Sequence, residues 1–146
     1  MSAPANYDQD YCLWFADQAR LLRAERWQQI DVEHLAEELE DMGKREKRAL
    51  RSRTVVLLAH LLKYQYEPES RSPSWRGTIR EQRKQLAELL ADSPSLNPLL
   101  TEGLEDSYVS AKLLAAGEAG LAEAPFPERC PFSIGQMLGE EASPQP

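Results

Sequence analysis

The chain has 146 residues, 42% of them apolar, with three Trp, five Tyr and a formal net charge of −7. A chain of that length fits one domain that buries about 68–70% of its unfolded surface without a disulfide or metal staple, and its composition excludes general disorder. The longest apolar run, Val55 to Ala59, falls far short of the ~20 residues of a membrane-spanning helix.

The charge is unevenly placed. Lys44 to Lys84 holds twelve basic and four acidic residues, a local net of +8, and the remainder carries −15. Immediately before the basic block, Asp31 to Asp41 holds six carboxylates and no Lys or Arg. Such segregation points to an anion-binding surface or to two halves that neutralise each other. The overall acidity argues for solubility and against a dedicated nucleic-acid coat. Met1 to Asp10 has neither a basic nor an apolar leader segment, so no cleaved signal is expected. Cys12 and Cys130 form neither a zinc nor a C-x-x-C spacing, and a reduced, cytoplasmic protein is expected.

In chain order, every periodic segment has the helical period. Tyr7, Tyr11, Trp14, Gln18, Leu21 and Leu22 predict a first helix with Asp8 and Asp10 near its positive end. Asp31 is a candidate N-cap for a second helix through Leu35, Leu39 and Met42. Gly43 ends that helix or bends it. The stripe resumes through Glu46, Ala49, Leu50, Arg53, Leu57, His60, Leu61 and Tyr64, so one long kinked helix is an open alternative. Ser72 caps a third helix with Pro73 at its first position, and that helix buries Trp75, Ile79, Gln82, Leu86, Leu89 and Leu90. Beyond Ser93-Pro94 and Asn97-Pro98, a fourth helix carries Leu100, Leu104, Tyr108, Ala111 and Leu114 and ends near Gly117 or Gly120. The proline-containing tail has one short helical turn around Ile134 to Leu138, and no strand alternation occurs anywhere. The expected fold is an all-α, compact bundle of four to five main helices with an irregular C-terminal tail. The expected organisation is an N-terminal tail over 1–6, a single helical domain over 7–138 and a flexible tail over 139–146.

Several motifs carry a resemblance. His60-Leu61-Leu62-Lys63-Tyr64, Ser74-Trp75-Arg76 with Thr78-Ile79, Gln82-Arg83, and Ser93-Pro94-Ser95-Leu96 resemble, in that order, the signature of domain of unknown function family 29. Tyr11, Trp14, Leu21-Leu22-Arg23, Leu35 to Glu40 with Gly43, and Cys130-Pro131-Phe132 fit as well, so the resemblance covers about residues 7 to 138. It implies a helical fold and a bacterial origin, and it implies no activity. Many relatives close on an aromatic-proline end, which Gly139 to Pro146 replaces here.

Four constellations bear on chemistry. Arg53 and His60, seven apart, project at nearly the same angle at the centre of an apolar stripe. Their R-x6-H spacing is similar to that of HEPN-superfamily ribonucleases, in which an Arg stabilises phosphate charge and a His moves the proton. The alternative is a buried, hydrogen-bonded His and an Arg with a carboxylate or carbonyl partner. On the third helix Arg76, Arg80, Arg83 and Lys84 make a basic stripe, which with Arg71 and Trp75 is a candidate nucleic-acid-binding set. Its alternative is arginine stems covering apolar surface. Glu33, His34, Glu37 and Glu38 share a helix but lack the paired Glu-x-x-His of a di-metal bundle, so a solvated face is expected and no metal or other cofactor. Cys130 stands beside Arg129 without a base in sequence, and reads as a small packing residue.

The reading that follows is a non-catalytic interaction or assembly module that associates with a protein partner or with itself, with no membrane. The runner-up is a nucleic-acid-directed protein, such as a HEPN-like ribonuclease or a toxin–antitoxin component, using Arg53 and His60 on RNA.

Overall fold

A computed structural model describes residues 6–120 and 126–142. The fold is an all-α helical bundle with no strand among the described residues. Helix α1 spans Tyr11–Arg23, α2 Val32–Tyr66, α3 Pro73–Asp92, α4 Asn97–Glu102, α5 Leu104–Ala119 and α6 Ile134–Leu138. Single turns of 3₁₀ helix at Trp27–Gln29, Pro68–Ser70 and Pro94–Leu96 join them. None of the described helices is long and apolar enough to cross a membrane.

The boundaries follow from side-chain capping. Asp10 Oδ1 accepts from the Leu13 amide at 3.0 Å and starts α1. Tyr7, expected on the α1 stripe, therefore lies in the turn before the helix. The Ser72 hydroxyl accepts from the Trp75 amide and opens α3, with Pro73 at its first position. In α6, Ser133 and Gln136 form a reciprocal capping box.

The glycines match their sequence reading in part: Gly120 ends α5 as expected, Gly43 takes the continuous-helix alternative, and Gly103 divides a helix expected to be one. Helix α2 runs for 35 residues straight through Gly43 in sequence. One glycine costs about 1 kcal/mol against alanine, too little to break a helix flanked by Glu, Leu, Met, Lys and Arg. The expected fourth helix instead divides at Gly103. There the Gly103 amide still bonds the Leu99 carbonyl at 2.9 Å, and an added Cβ would sit 3.0 Å from that oxygen. The chain tightens where a side chain has no room. Gly120 and Gly139 end α5 and α6 with φ of +69° and +83°, the left-handed geometry that glycine adopts without steric cost.

Packing divides the chain into two compact units, the division falling between Lys44 and Arg45. The N-terminal unit buries Trp14, Gln18, Leu21 and Glu38. The larger unit is organised around α2, whose Leu57, Leu58, Ala59 and Leu62 are completely buried. Apolar residues on all sides of a helix require neighbours on all sides. Ile79, Leu86 and Leu90 of α3, Tyr108, Ala111 and Ala115 of α5, and Phe126, Phe132 and Met137 complete its core. The buried Tyr108 hydroxyl donates to the Pro127 carbonyl at 2.5 Å, which satisfies its one polar atom. Lys63 is also buried, and its ammonium pairs with Glu118 and lies 5.1 Å from the Trp75 ring centroid.

Candidate functional site

Arg76, Arg80 and Arg83 recur at i, i+4 and i+7 on α3 and share one face. With Ile79 of α3 and with Leu61 and Tyr64 of α2, they line a solvent-open groove of ≈ 340 Å³. No carboxylate is among the lining residues. Arg83 is half-buried. Its Nε donates to the Met137 carbonyl at 2.9 Å and its Nη2 to the Gln136 carbonyl at 3.1 Å. Both carbonyls lie at the end of α6, where the Gly139 amide also donates to the Gln136 carbonyl, so Arg83 caps that helix together with Gly139. Burial lowers its pKa from the usual arginine value, yet a guanidinium remains protonated at neutral pH. Its two carbonyl partners leave the charge unneutralised. Arg76 and Arg80 are exposed, and among the described residues neither side chain has a hydrogen-bond or ion-pair partner.

The remaining residues of the expected nucleic-acid set divide. Arg71 lies with its guanidinium carbon 4.3 Å from the Tyr64 ring centroid, and its Nε donates to the Tyr64 carbonyl. It therefore approaches the groove through Tyr64. Trp75 and Lys84 are outside the groove lining, Trp75 half-buried under the Lys63 ammonium and Lys84 exposed. Leu61 and Tyr64 complete the groove and were not singled out as site residues in the sequence. Their signals were their phase on α2 and their place in the His60 to Tyr64 motif.

Arg53 and His60 are both half-buried, at the edge of the buried α2 face rather than at its centre. His60 Nδ1 lies 3.0 Å from the Val56 carbonyl. A carbonyl only accepts, so Nδ1 carries the hydrogen of this bond. Arg53 has no carboxylate or carbonyl partner among the described residues, contrary to expectation. Seven residues of helix separate the two by about 10 Å along the axis, and helical side chains all lean towards the N-terminus. No contact joins the pair. The Cys130 thiol, pushed up to about 11 chiefly by burial, sits against the core as a packing residue.

The family model for domain of unknown function DUF29 matches residues 6–142. The chain belongs to the DUF29 family. No curated protein and no solved structure matches it.

The N-terminal unit of this DUF29 chain holds a polar cluster where a solvated face was expected. Asp31 Oδ2 accepts from the Trp14 indole at 3.1 Å and meets His34 Nδ1 at 2.6 Å. The Asp31 amide donates to Gln18 Oε1 at 2.8 Å. The His34 ring stacks on Tyr7 with centroids 4.0 Å apart, and the Tyr7 hydroxyl donates to the buried Glu38 carboxylate. Hydrogen bonding to Asp31 raises the His34 pKa from its usual value, and the same bond lowers that of Asp31. His34 and Glu38 are thus turned to Asp31 and Tyr7, and the cluster clamps α1 to the start of α2.

The same unit of this DUF29 chain carries most of the exposed large hydrophobic side chains. Tyr11, Leu13, Phe15, Leu22, Trp27, Val32, Leu39 and Met42 are exposed, eight of the eleven exposed large hydrophobics among the described residues. Tyr11, Phe15 and Leu22 fall within about 40° on α1, and Val32 and Leu39 within about 20° on α2, at 100° per residue.

Proposed function

We propose that this chain is a non-catalytic assembly module that pairs with a second copy of itself through the exposed apolar strips of α1 and the first turns of α2. The carrying observation is the concentration of eight exposed large hydrophobic side chains within residues 6–44. Monomeric surfaces scatter such side chains singly, whereas Tyr11, Phe15 and Leu22 share one face of α1 and Val32 and Leu39 one face of α2, as on an interaction surface. A pair of helices buries one face of each and leaves the other uncovered. Two copies supply four helices, the smallest arrangement that closes a core on both sides.

Charge selects a second copy over an unrelated partner. The acidic stretch Asp31 to Asp41 is followed on the same helix by Lys44, Arg45, Lys47 and Arg48. Antiparallel pairing of two α2 helices sets each acidic stretch against the partner's basic turns, whereas parallel pairing opposes like charges. The free thiols Cys12 and Cys130 fit a reducing, cytoplasmic setting.

Sedimentation velocity between 1 and 100 µM tests the reading. A dimer is expected for the native chain, and a monomer of unchanged helicity for Leu39→Glu and for Phe15→Glu. A native chain that sediments as a monomer throughout, or a dimer indifferent to both substitutions, removes the proposal.

A further inference from the structure

The arginine groove is lined by residues other than those of the proposed self-association strips. We propose that the groove formed by Leu61, Tyr64, Arg76, Ile79, Arg80 and Arg83 binds a nucleotide unit, its phosphate held by the guanidinium groups and its base laid on the apolar floor.

Three observations carry this. The first is unbalanced charge: three arginine side chains on successive turns line one groove that has no carboxylate in its lining. Arginine in a folded structure finds a carboxylate or a carbonyl where it can, and here Arg76 and Arg80 have found neither among the described residues. The second is preorganisation. The Nε and Nη2 of Arg83 are anchored to the end of α6, which fixes the plane of a half-buried cation and leaves Nη1 as an unused donor. Its only bonded partners are neutral, so an arriving anion recovers part of the cost of burying it. The third is the character of the floor. Leu61, Ile79 and Tyr64 are apolar or aromatic, and Arg71 already lies over the Tyr64 ring.

A bare inorganic anion would use the guanidinium groups and waste that floor. A planar base with a phosphate uses both, because guanidinium groups bind phosphate in a fork and also stack on rings. A volume of ≈ 340 Å³ lies at the small end of ligand sites, room for one nucleotide. The groove is open, so the unit is either a free mononucleotide or one residue of a single strand. Both present the same chemistry.

The probes are AMP, adenosine, inorganic phosphate and a fluorescein-labelled eight-nucleotide oligouridylate, followed by anisotropy and competition at 50 and 200 mM KCl. AMP is expected to compete at least ten-fold better than adenosine or phosphate. Tenfold or greater weakening is expected for Arg76→Ala and for Arg80→Ala, loss of binding for Arg80→Glu, and no change for Arg20→Ala. Both test positions are exposed and unpartnered, so melting temperatures should stay at the native value, and Arg80→Lys should retain part of the affinity. An oligonucleotide that binds much more tightly than AMP, with a log–log salt slope near −2 for about three phosphates, assigns the source as a strand. Comparable affinities assign a free nucleotide. Phosphate competing as well as AMP overturns the nucleotide assignment. Absence of binding by AMP and oligonucleotide at millimolar concentration, or binding indifferent to Arg76→Ala and Arg80→Ala together, overturns the site.

Discussion

Asp31 accepts from the Trp14 indole and contacts the His34 ring through the same carboxylate oxygen, so the protonation of His34 controls how firmly that oxygen is held. The His34 pKa is raised by this bond, so it stabilises the N-terminal unit fully below its unfolded value of about 6.5 and loses that contribution as pH rises through the elevated folded value. The Asp31 pKa is lowered, so its contribution is present above about 3.8 and is lost as pH falls through the depressed folded value. Stability of this unit should therefore peak roughly between pH 4 and 6.5 and decline towards pH 8. Following the Trp14 indole proton by NMR during thermal melts at pH 5, 6.5 and 8 checks this. In His34→Gln the decline between pH 6.5 and 8 should vanish, and a decline that persists would assign the dependence to another group. This cluster was largely hidden in the sequence. Asp31 was legible as a cap because an Asp before an apolar stripe accepts from first-turn amides. Tyr7 was not, because its i, i+4 spacing to Tyr11 suggested a helical phase that the Asp10 cap ends before it reaches Tyr7.

At the scale of elements, helices were legible wherever a polar cap met a 3.6-residue stripe, as at Ser72-Pro73 and around Leu57 to Tyr64. Gly120 was legible as a helix end, but Gly43 and Gly103 were not decided by the sequence, because a glycine's effect depends on the space and φ at its position. Gly43 sits in helical geometry with nothing within 4 Å of an added Cβ, while Gly103 faces the Leu99 carbonyl. Gly43→Ala should therefore stabilise the chain by about 1 kcal/mol through helix propensity and a less flexible unfolded state, read as a higher urea midpoint at unchanged m-value. Destabilisation would mean that α2 does not pass through residue 43 as a helix. The arginines of α3 were legible as a face for the same periodic reason. Which residues of α2 stand opposite them depends on helix packing, and a one-helix stripe does not encode that. Nor does the stripe encode that Arg83 turns to the α6 carbonyls, since α6 follows more than fifty residues later.

For the whole molecule, the two proposals rest on two separate sets of residues. The apolar strips lie within residues 6–44, and the groove draws only on residues from Leu61 to Arg83. The groove's lining comes entirely from one chain, so nucleotide binding should not depend on self-association. Leu39→Glu should convert the dimer to a monomer while leaving AMP affinity per chain within about two-fold, and Arg80→Glu should abolish AMP binding while the chain sediments as the native dimer. Raising KCl from 50 to 200 mM separates them further. It should weaken strand binding by roughly 15-fold through counterion release at a slope near −2, and screen the acidic–basic pairing of α2 without removing the apolar contacts of the proposed dimer. Sedimentation and anisotropy on the same two variants decide the matter. Loss of AMP binding in a well-folded Leu39→Glu monomer would mean that a second chain completes the groove, and retention of binding would leave the two functions independent.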